Sequence, residues 1–321
     1  MAEFTTLINK PLGFTPYDVK WVLHSARLCV IGATGHSTGR IGVYRMEEKH
    51  LTLVNETETS TVVRCGTFEA AEAHMRHVAT GDFEGRLQIW DIEHLELPFA
   101  SVKAHRSIIN CIDGIGGAQD KGARELVTGS RDGCVKVWDQ RQLEKPIFTA
   151  RPKDDASASD IWAVAFGKRD NRTSRLVAAG FENGDIKLFD LASSTSQYLW
   201  HTNIGAGVCS IDIHTDRLIA TTLHGVCIID LLTGQSTKLP SPSETTMWAV
   251  RHFPQQSNLF AVAGGDGQLR LWDAQHTEKP VASQSLSKHP IIAFDWNRDK
   301  KGLYACGSFD QTIKIGFMQG I

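Results

Sequence analysis

Residues 125–139, ELVTGSRDGCVKVWD, predict a β-hairpin. Two runs rich in valine and leucine flank Asp132 and Gly133, two residue types that tolerate the positive φ of a tight turn. The same phrase returns along the chain, which indicates a fold built from repeats and not around a single site. We expect each repeat to have a first strand, a second strand leading to a Gly/Asp turn, and a third strand ending on an aromatic residue.

Seven repeats can be followed through the sequence by their closing positions. These positions are Tyr44, Trp90, Trp138, Phe189, Ile229, Trp272 and Gly316. Repeat five has a short turn around His224 and Gly225, and repeat seven has a glycine where the closing aromatic residue is expected. The mean spacing of about 45 residues is the length of a four-stranded propeller blade. The sequence therefore predicts an all-β fold in which one domain, residues 1–321, forms a seven-bladed β-propeller.

The two ends of the chain are expected to meet in the last blade. Only four residues follow the third strand of repeat seven, residues 312–317, and four are too few for another strand. Residues 3–10 precede repeat one and belong to no other element. We therefore predict that residues 4–8 supply the outer strand of the seventh blade and close the ring.

Composition and charge are typical of a soluble globular protein. Of 321 residues, 41% are hydrophobic and 22% are charged, which suits a large core. The net charge of −2 gives no bulk attraction for nucleic acid or anionic lipid. The N-terminus lacks the segments of a signal peptide, and the seven cysteines include no Cys-x-x-Cys pair. These features predict a cytoplasmic monomer that binds neither nucleic acid nor membrane.

Repeat three carries a full set of hydrogen-bonding side chains. His105 precedes its first strand, and the second strand contains Thr128 and Ser130. Asp132 lies in the turn and Trp138 in the third strand. A buried indole and a buried imidazole need partners, which a hydroxyl and a carboxylate can supply. Hydrolase triads use the same residue types, but no Gly-x-Ser-x-Gly elbow accompanies them here, so we interpret the set as structural.

Motifs for catalysis or cofactor binding are incomplete in this sequence. The run GIGGAQ at 114–119 lacks the third glycine of a dinucleotide loop. Residues 117–122 have P-loop glycine spacing, but Ala123 and Arg124 stand where a P-loop has Lys and Ser/Thr. His74 and His77 could share a metal, yet no third ligand is spaced nearby, which favours a surface loop. We therefore predict no enzyme activity, no cofactor and no metal site.

Several stretches carry a resemblance to a known family. They are residues 109–117, 128–142, 162–167, 183–191, 207–210, 248–252 and 308–312. The chain resembles the WD-repeat family and, within it, the members that assemble axonemal dynein; the Asp-Gly-Ile-Gly-Gly run at 113–117 discriminates best, because a blade does not require it. The resemblance implies a non-catalytic cytoplasmic adaptor that works with RuvB-like ATPases and a prefoldin-like co-chaperone module. It also implies dynein chains as clients and a link to the biogenesis of cilia or flagella.

The turns between second and third strands predict a docking surface for a partner. In a propeller these turns share one face with the loops that precede the first strands. The turn position of Arg131 in blade three is occupied by Phe83 in blade two and by Phe309 in blade seven, and Tyr17 begins blade one. Three neighbouring aromatic residues suggest a partner-binding patch. Packing of these rings against the next blade is the open alternative.

Trp162 and Trp248 begin equivalent first strands and are further candidates for partner contact. Trp162 has the same strand parity as Val164 and Phe166. Packing between blades is therefore an equally open interpretation of these two indoles.

A second functional interpretation comes from the end of repeat three. Residues 138–141, Trp-Asp-Gln-Arg, resemble the Trp-Asp-x-Arg box of substrate receptors in cullin-type ubiquitin ligases. This resemblance implies a free Arg141 that docks a ligase adaptor. Ordinary strand-end chemistry, which many propellers share, is the alternative.

Overall fold

The structure, a computed structural model, describes residues 2–72, 74–117, 123–152, 158–168, 175–193, 197–214, 216–241 and 245–320. Within these ranges every regular element is a β-strand, and the 28 strands form seven four-stranded sheets. Each sheet is one blade, so the predicted all-β architecture of a seven-bladed β-propeller is confirmed. Most of the stretch with P-loop spacing, residues 118–122, lies outside the described residues.

The strand bounds follow the repeats in chain order. Blades 1 to 3 consist of β2 (Thr15–Trp21), β3 (Arg27–Ala33), β4 (Gly39–Glu47) and β5 (His50–Thr59); β6 (Val63–Thr67), β7 (His77–Asp82), β8 (Arg86–Asp91) and β9 (Ala100–Lys103); and β10 (Ile109–Ile115), β11 (Glu125–Ser130), β12 (Val135–Asp139) and β13 (Phe148–Ala150). Blades 4 and 5 consist of β14 (Ile161–Lys168), β15 (Arg175–Phe181), β16 (Asp185–Asp190) and β17 (Tyr198–Asn203); and β18 (Val208–His214), β19 (Arg217–Thr222), β20 (Gly225–Asp230) and β21 (Ser236–Lys238). Blades 6 and 7 consist of β22 (Met247–Phe253), β23 (Gln256–Gly264), β24 (Gln268–Asp273) and β25 (Ala282–Ser285); and β26 (Ile291–Trp296), β27 (Leu303–Ser308), β28 (Thr312–Gln319) and β1 (Glu3–Pro11). All seven closing positions lie on third strands.

Burial within a blade decreases from the second strand to the fourth. The second strands β11 and β27 are buried at every position, because both faces of these strands are covered. The third strand β8 alternates more between buried and half-buried positions, and the fourth strand β25 is largely exposed. This gradient explains why second strands are continuous runs of apolar and small residues while fourth strands are polar.

The chain divides into two compact units, each of which is described by itself. Unit 1 contains Met1–Val63, Ile219–Ile228 and Thr237–Ile321, and therefore blades 1, 6 and 7. Unit 2 contains Arg64–Leu218 and Ile229–Ser236, and therefore blades 2, 3 and 4. That the whole chain behaves as one domain stays a prediction.

In unit 1, the N-terminal strand completes blade 7 as expected. β1 pairs antiparallel with β28 from Glu3 opposite Gln319 to Pro11 opposite Thr312. The side chains that β1 buries are those of Phe4 and Ile8. The first and last strands of the chain therefore share one sheet, and the predicted closure is confirmed.

At the closing position of blade 7, a tyrosine on the second strand stands opposite the glycine of the third strand. Tyr304 on β27 lies opposite Gly316 on β28. A Cβ at position 316 would collide with the Tyr304 hydroxyl and with the Thr5 carbonyl of β1. The glycine at the closing position of repeat seven thus makes room for a ring on the neighbouring strand and for close approach of the N-terminal strand.

In unit 2, the glycine run at the end of β10 packs against the loop that follows β6. The backbone N–H of Gly117 donates to the carbonyl of Glu69 at 3.0 Å. A Cβ on Gly114 would lie 2.8 Å from the backbone nitrogen of Ala70, so no larger residue fits there without a shift. The run Asp-Gly-Ile-Gly-Gly, which a blade alone does not require, therefore holds the end of β10 in blade 3 against the loop that follows β6 in blade 2.

Candidate protein-interaction surface

A hydrogen-bonded chain of side chains crosses blade 3. His105 Nδ1 lies 3.1 Å from Asp132 Oδ1, and His105 Nε2 lies 2.8 Å from Thr128 Oγ1. The indole Nε1 of Trp138 donates to the same Thr128 hydroxyl at 3.0 Å. Ser130 lies outside this chain, because its hydroxyl donates to the carbonyl of Ser107. Of the two hydroxyls considered from the sequence, Thr128 is therefore the one that links tryptophan to histidine.

The charge states of His105 and Asp132 determine which atoms donate hydrogen bonds in this chain. Burial lowers the pKa of His105, so that the imidazole is neutral at pH 7. Burial alone would raise the pKa of Asp132, but hydrogen bonds from His105 and from two backbone N–H groups hold it well below its usual value. His105 then donates from Nδ1 to the Asp132 carboxylate and accepts the Thr128 hydroxyl at Nε2. Because His105 and Thr128 are buried, the set stabilises the sheet and offers no surface to a substrate.

The first strand of a blade carries a β-bulge at one edge. In blades 1, 3, 4, 6 and 7 the pairing of first and second strands skips one residue. The skipped residues are Tyr17, Asn110, Trp162, Trp248 and Ile292. A bulge redirects the side chain of the extra residue, so these positions are set apart from the regular alternation.

The turn between second and third strands is hydrogen-bonded to the same edge. In each case the N–H of a turn residue donates to the carbonyl just before the first strand. The pairs are Arg131 to Ile108 at 3.0 Å, Glu182 to Asp160 at 2.9 Å, Gly265 to Thr246 at 2.7 Å, and Phe309 to Pro290 at 3.0 Å. Turn residue and bulge residue therefore occupy one edge of their blade, which we call the rim of that blade.

The rim of unit 1 contains an aromatic pair. The rings of Trp248 in blade 6 and Phe309 in blade 7 have centroids 6.5 Å apart at an interplanar angle of 82°, an edge-to-face contact. Phe309 is 42% exposed and Trp248 is half-buried. Tyr17 is half-buried at the bulge of blade 1. Phe309, which the sequence grouped with Tyr17 and Phe83, contacts the ring of Trp248, and its grouping with the other two residues stays a prediction.

The rim of unit 2 is more polar. Phe83 is 37% exposed in a turn that Asp82 stabilises by accepting two backbone N–H groups. Arg131 is exposed, and its Nε lies 3.5 Å from Asp160 Oδ2. Trp162 is half-buried at its bulge. The bulge interrupts the alternation that relates Trp162 to Val164 and Phe166, on which the interpretation of packing between blades was based.

The guanidinium of Arg141, predicted to dock a ligase adaptor, is hydrogen-bonded to Asp139, and its docking role stays a prediction. Its Nε donates to Asp139 Oδ1 at 2.9 Å and its Nη2 donates to Asp139 Oδ2 at 2.6 Å. This hydrogen-bonded pairing raises the pKa of Arg141 and lowers that of Asp139. The side chain is nevertheless 58% exposed, so its far edge still contacts solvent.

No group of three His, Cys, Asp or Glu side chains in the described residues could hold a metal ion. His74 pairs with Glu72, while the ring of His77 contacts Phe99 in a tilted arrangement with centroids 4.5 Å apart. Among the same residues there is no helix of the length and apolarity that a membrane crossing needs.

Comparison with known proteins identifies the family. Residues 97–139 and 235–273 match the model of the WD domain, G-beta repeat. Dynein axonemal assembly factor 10 of Homo sapiens is 43% identical over 96% of this chain and 94% of its own length. The proteins of that name from Danio rerio and Chlamydomonas reinhardtii are 43% and 37% identical, over 96% and 97% of this chain and 94% and 95% of their own lengths. The chain belongs to the dynein axonemal assembly factor 10 family. The resemblance stated from the sequence, to WD-repeat proteins that assemble axonemal dynein, is confirmed at this level.

Two features of this family member were missed from its sequence. The bulges that place Tyr17, Trp162 and Trp248 depend on strand register, which the residue pattern does not reveal. The contact of Trp248 with Phe309 joins different blades and follows only from their packing. The available signal was the recurrence of tryptophan at the second position of a first strand, in repeats four and six.

Proposed function

We propose that this family member is a non-catalytic adaptor in the assembly of axonemal dynein, and that it binds partner proteins through its rims. The observation that carries the proposal is the Trp248–Phe309 pair, in which an exposed ring is supported by a second aromatic ring. Tryptophan and tyrosine are over-represented among the residues that dominate interface energies. Membership of a family whose relatives are named dynein axonemal assembly factors supports the same role.

The pair is held ready for binding. The backbone N–H of Phe309 donates to the Pro290 carbonyl, which fixes the turn. The Trp248 indole lies close to Gly265, where a Cβ would approach its Nε1 to 3.4 Å. A partner would therefore order few side chains on binding, which lowers the entropic cost of association.

The partners we propose are RuvB-like ATPases and subunits of a prefoldin-like co-chaperone module, with dynein chains as clients. Assembly would take place in the cytoplasm before dynein reaches the cilium or flagellum. In this account the protein supplies binding surfaces alone and requires no cofactor. Its contribution is to hold a client and a chaperone close together, which raises their effective concentration.

Affinity purification from a ciliated-cell lysate tests this proposal. The variants are Trp248→Ser with Phe309→Ser, and Tyr17→Ser with Phe83→Ser and Phe309→Ser. The control is Leu53→Ser, since Leu53 is also 42% exposed but lies on the outer strand of blade 1. Wild type and the control should recover RuvB-like ATPases or dynein chains, and the rim variants should lose them. Equal recovery by all folded variants would refute the rim as the binding surface.

The cullin-receptor interpretation is the second candidate, favoured only by the exposure of Arg141. Its guanidinium already binds Asp139, so an adaptor would have to use the remaining N–H groups. Arg141→Ala separates the two functions. Loss of a bound cullin adaptor would support the receptor, whereas unchanged recovery of chaperone subunits would support the assembly adaptor.

A further inference from the structure

Blades 2, 3 and 6 share one design for the turn between third and fourth strands. In each, a Trp-Asp pair is followed by a proline and then an apolar residue at identical spacing. The three sets are Trp90, Asp91, Pro98 and Phe99; Trp138, Asp139, Pro146 and Ile147; and Trp272, Asp273, Pro280 and Val281. The same spacing in three blades permits a position-by-position comparison.

The backbone bonding of the three turns is also the same. The aspartate Oδ1 accepts the N–H two residues later at 2.9 Å in all three. The N–H of the apolar residue donates to a carbonyl of the third strand, at 3.0 Å for Phe99 and 2.8 Å for Ile147 and Val281. Differences between the side chains of these turns are therefore not dictated by the backbone.

One position differs in chemical class. The residue before the proline is Leu97 in blade 2, but Lys145 in blade 3 and Lys279 in blade 6. Leu97 is 78% exposed. Since two sister turns carry lysine there, the fold does not require an apolar side chain. A single exposed leucine is ordinary on a protein surface, so its meaning depends on whether further apolar side chains accompany it.

Two other exposed apolar side chains belong to this turn and to the loop that is tied to it. Phe99 is 58% exposed and contacts His77 in a tilted arrangement with ring centroids 4.5 Å apart. Met75, in the preceding loop, is 44% exposed. An ion pair of 3.6 Å between Arg76 Nη1 and Glu93 Oε1 ties that loop to the turn. We call Met75, His77, Leu97 and Phe99, with Glu93 and Glu96, the blade-2 corner.

The charge of this corner is negative. The turn of residues 91–99 contains Asp91, Glu93 and Glu96 but no Lys or Arg. The sister turns contain cations, namely Arg141 and Lys145 in blade 3 and Lys279 in blade 6. An apolar surface bordered by carboxylates is complementary to apolar side chains flanked by Lys or Arg. It disfavours anionic lipid and nucleic acid, which the same carboxylates repel.

We propose that the blade-2 corner binds a protein segment whose apolar side chains are flanked by lysine or arginine. Phe99 is the anchor, because its ring is rigid and supported by His77. Leu97 and Met75 extend the apolar contact, and the carboxylates of Glu96 and of Glu93, which already pairs with Arg76, favour basic residues. This surface is separate from the rim residues Phe83 and Arg131. Those two residues lie in the turns before the third strands, whereas the blade-2 corner includes the turn after a third strand.

The test uses Leu97→Lys, which installs the residue of the two sister turns and should leave the fold intact. A displayed library of random peptides is selected on wild type and counter-selected on Leu97→Lys. Enriched peptides are then synthesised and their affinities measured by isothermal titration calorimetry. Val281→Ser is the matched control, because it alters the position equivalent to Phe99 in blade 6.

We expect the enriched peptides to combine apolar residues with a net positive charge. Leu97→Lys and Phe99→Ser should each weaken their binding by about tenfold or more, while Val281→Ser leaves it unchanged. Glu93→Gln with Glu96→Gln should weaken binding and reduce its salt dependence. The proposal is overturned if no peptide is enriched, if the peptides are neutral or acidic, or if Leu97→Lys binds them as wild type does. Wild-type self-association that Leu97→Lys abolishes would also overturn it, by making a second copy the occupant.

Discussion

In blade 3 the closing position on the third strand is Trp138, whereas in blade 7 it is Gly316 and the ring facing it is Tyr304 on the second strand. Trp138 stands opposite Leu126, and its indole donates to the polar chain through Thr128. Tyr304 stands opposite Gly316. The closing indole of blade 3 is thus hydrogen-bonded within its own repeat, whereas the ring of blade 7 contacts the N-terminal strand.

Blade 7 has its own polar chain, in which Ser308 donates to Ser287 at 3.0 Å and Ser287 donates to Asp310 at 2.9 Å, but aromatic packing takes the place of the closing tryptophan. Tyr304 contacts Phe4 of β1 edge to face, with ring centroids 5.6 Å apart. It also packs with Phe294 and Trp296 at 6.0 and 6.1 Å. A repeat can therefore lose its closing tryptophan when a strand from the other end of the chain supplies the missing apolar surface.

The largest effect is expected from removing residues 2–10. This deletion takes away the buried side chains of Phe4 and Ile8 and the hydrogen bonds of β1 with β28. Burial of two such side chains is worth about 3–6 kcal/mol, so urea denaturation should show a loss of at least that size. Leu7→Ser is the control, because Leu7 is 39% exposed on the same strand. A truncated chain with the wild-type midpoint would contradict the role given to β1.

The next effect concerns the tryptophan of blade 3. Trp138→Ala should lower the free energy of unfolding by about 3–5 kcal/mol, because it opens a cavity and removes the indole donor from Thr128. Chemical denaturation of the purified variant measures this change. A loss below about 1 kcal/mol would mean that blade 3 does not depend on its polar chain and closing ring.

A smaller effect is expected at the glycine of blade 7. Gly316→Ala adds a Cβ that meets the Tyr304 hydroxyl and the Thr5 carbonyl, which should cost about 1–3 kcal/mol. Adding Tyr304→Phe removes the hydroxyl contact but leaves the ring carbon Cζ 2.5 Å from the added Cβ, so it should recover only a small part of the loss. The double variant therefore measures how much of the strain comes from the hydroxyl group. Full stability of Gly316→Ala would show that position 316 does not need glycine.

The smallest effect is a pH dependence of opposite sign in the two blades. Burial lowers the pKa of His105 below the ordinary value of 6.5, so the stability that it contributes is lost as the pH falls through that region. Burial raises the pKa of Asp295 in blade 7 to about 6, above its ordinary 3.8, so folding gains stability as the pH falls from about 6 toward 3.8. The lowered pKa of Asp132 makes the free energy of unfolding depend on this carboxylate only below about pH 4.

Thermal unfolding of single variants at pH 7 and pH 5 separates these contributions. The destabilisation caused by His105→Gln should be smaller at pH 5 than at pH 7. Asp295→Asn should gain relative to wild type at pH 7 and lose that gain at pH 5, since asparagine can still accept the N–H of Trp21. If both variants shift in the same direction, the assignment of opposite signs is wrong.

Much of the fold could be predicted from local chemistry. Turn glycines and closing aromatic residues recur at a spacing set by blade length, and this spacing gave the seven sheets. Counting the residues left at both ends was enough to predict that β1 joins β28. These inferences succeed because hairpins and strand counts depend on residues close in sequence.

The candidate interaction surface could be predicted only in part. The turn positions of Phe83, Arg131 and Phe309 follow from the repeats, and all three are exposed. The Trp248–Phe309 contact and the pairing of Arg141 with Asp139 depend on bulges and rotamers, for which the sequence holds no periodic signal. The exposure of Leu97 was also missed, because its meaning emerges only when three turns with the same backbone are compared.

We propose that dynein assembly depends on the Trp248–Phe309 pair, and complementation in ciliated cells that lack the endogenous protein tests this dependence. Cells would receive wild type, Trp248→Ser with Phe309→Ser, or Leu53→Ser at matched expression, and the dynein heavy chain content of isolated axonemes would be measured. We predict that wild type and Leu53→Ser restore axonemal dynein and that the double rim variant does not. Restoration of wild-type dynein content by the folded double variant would contradict the account.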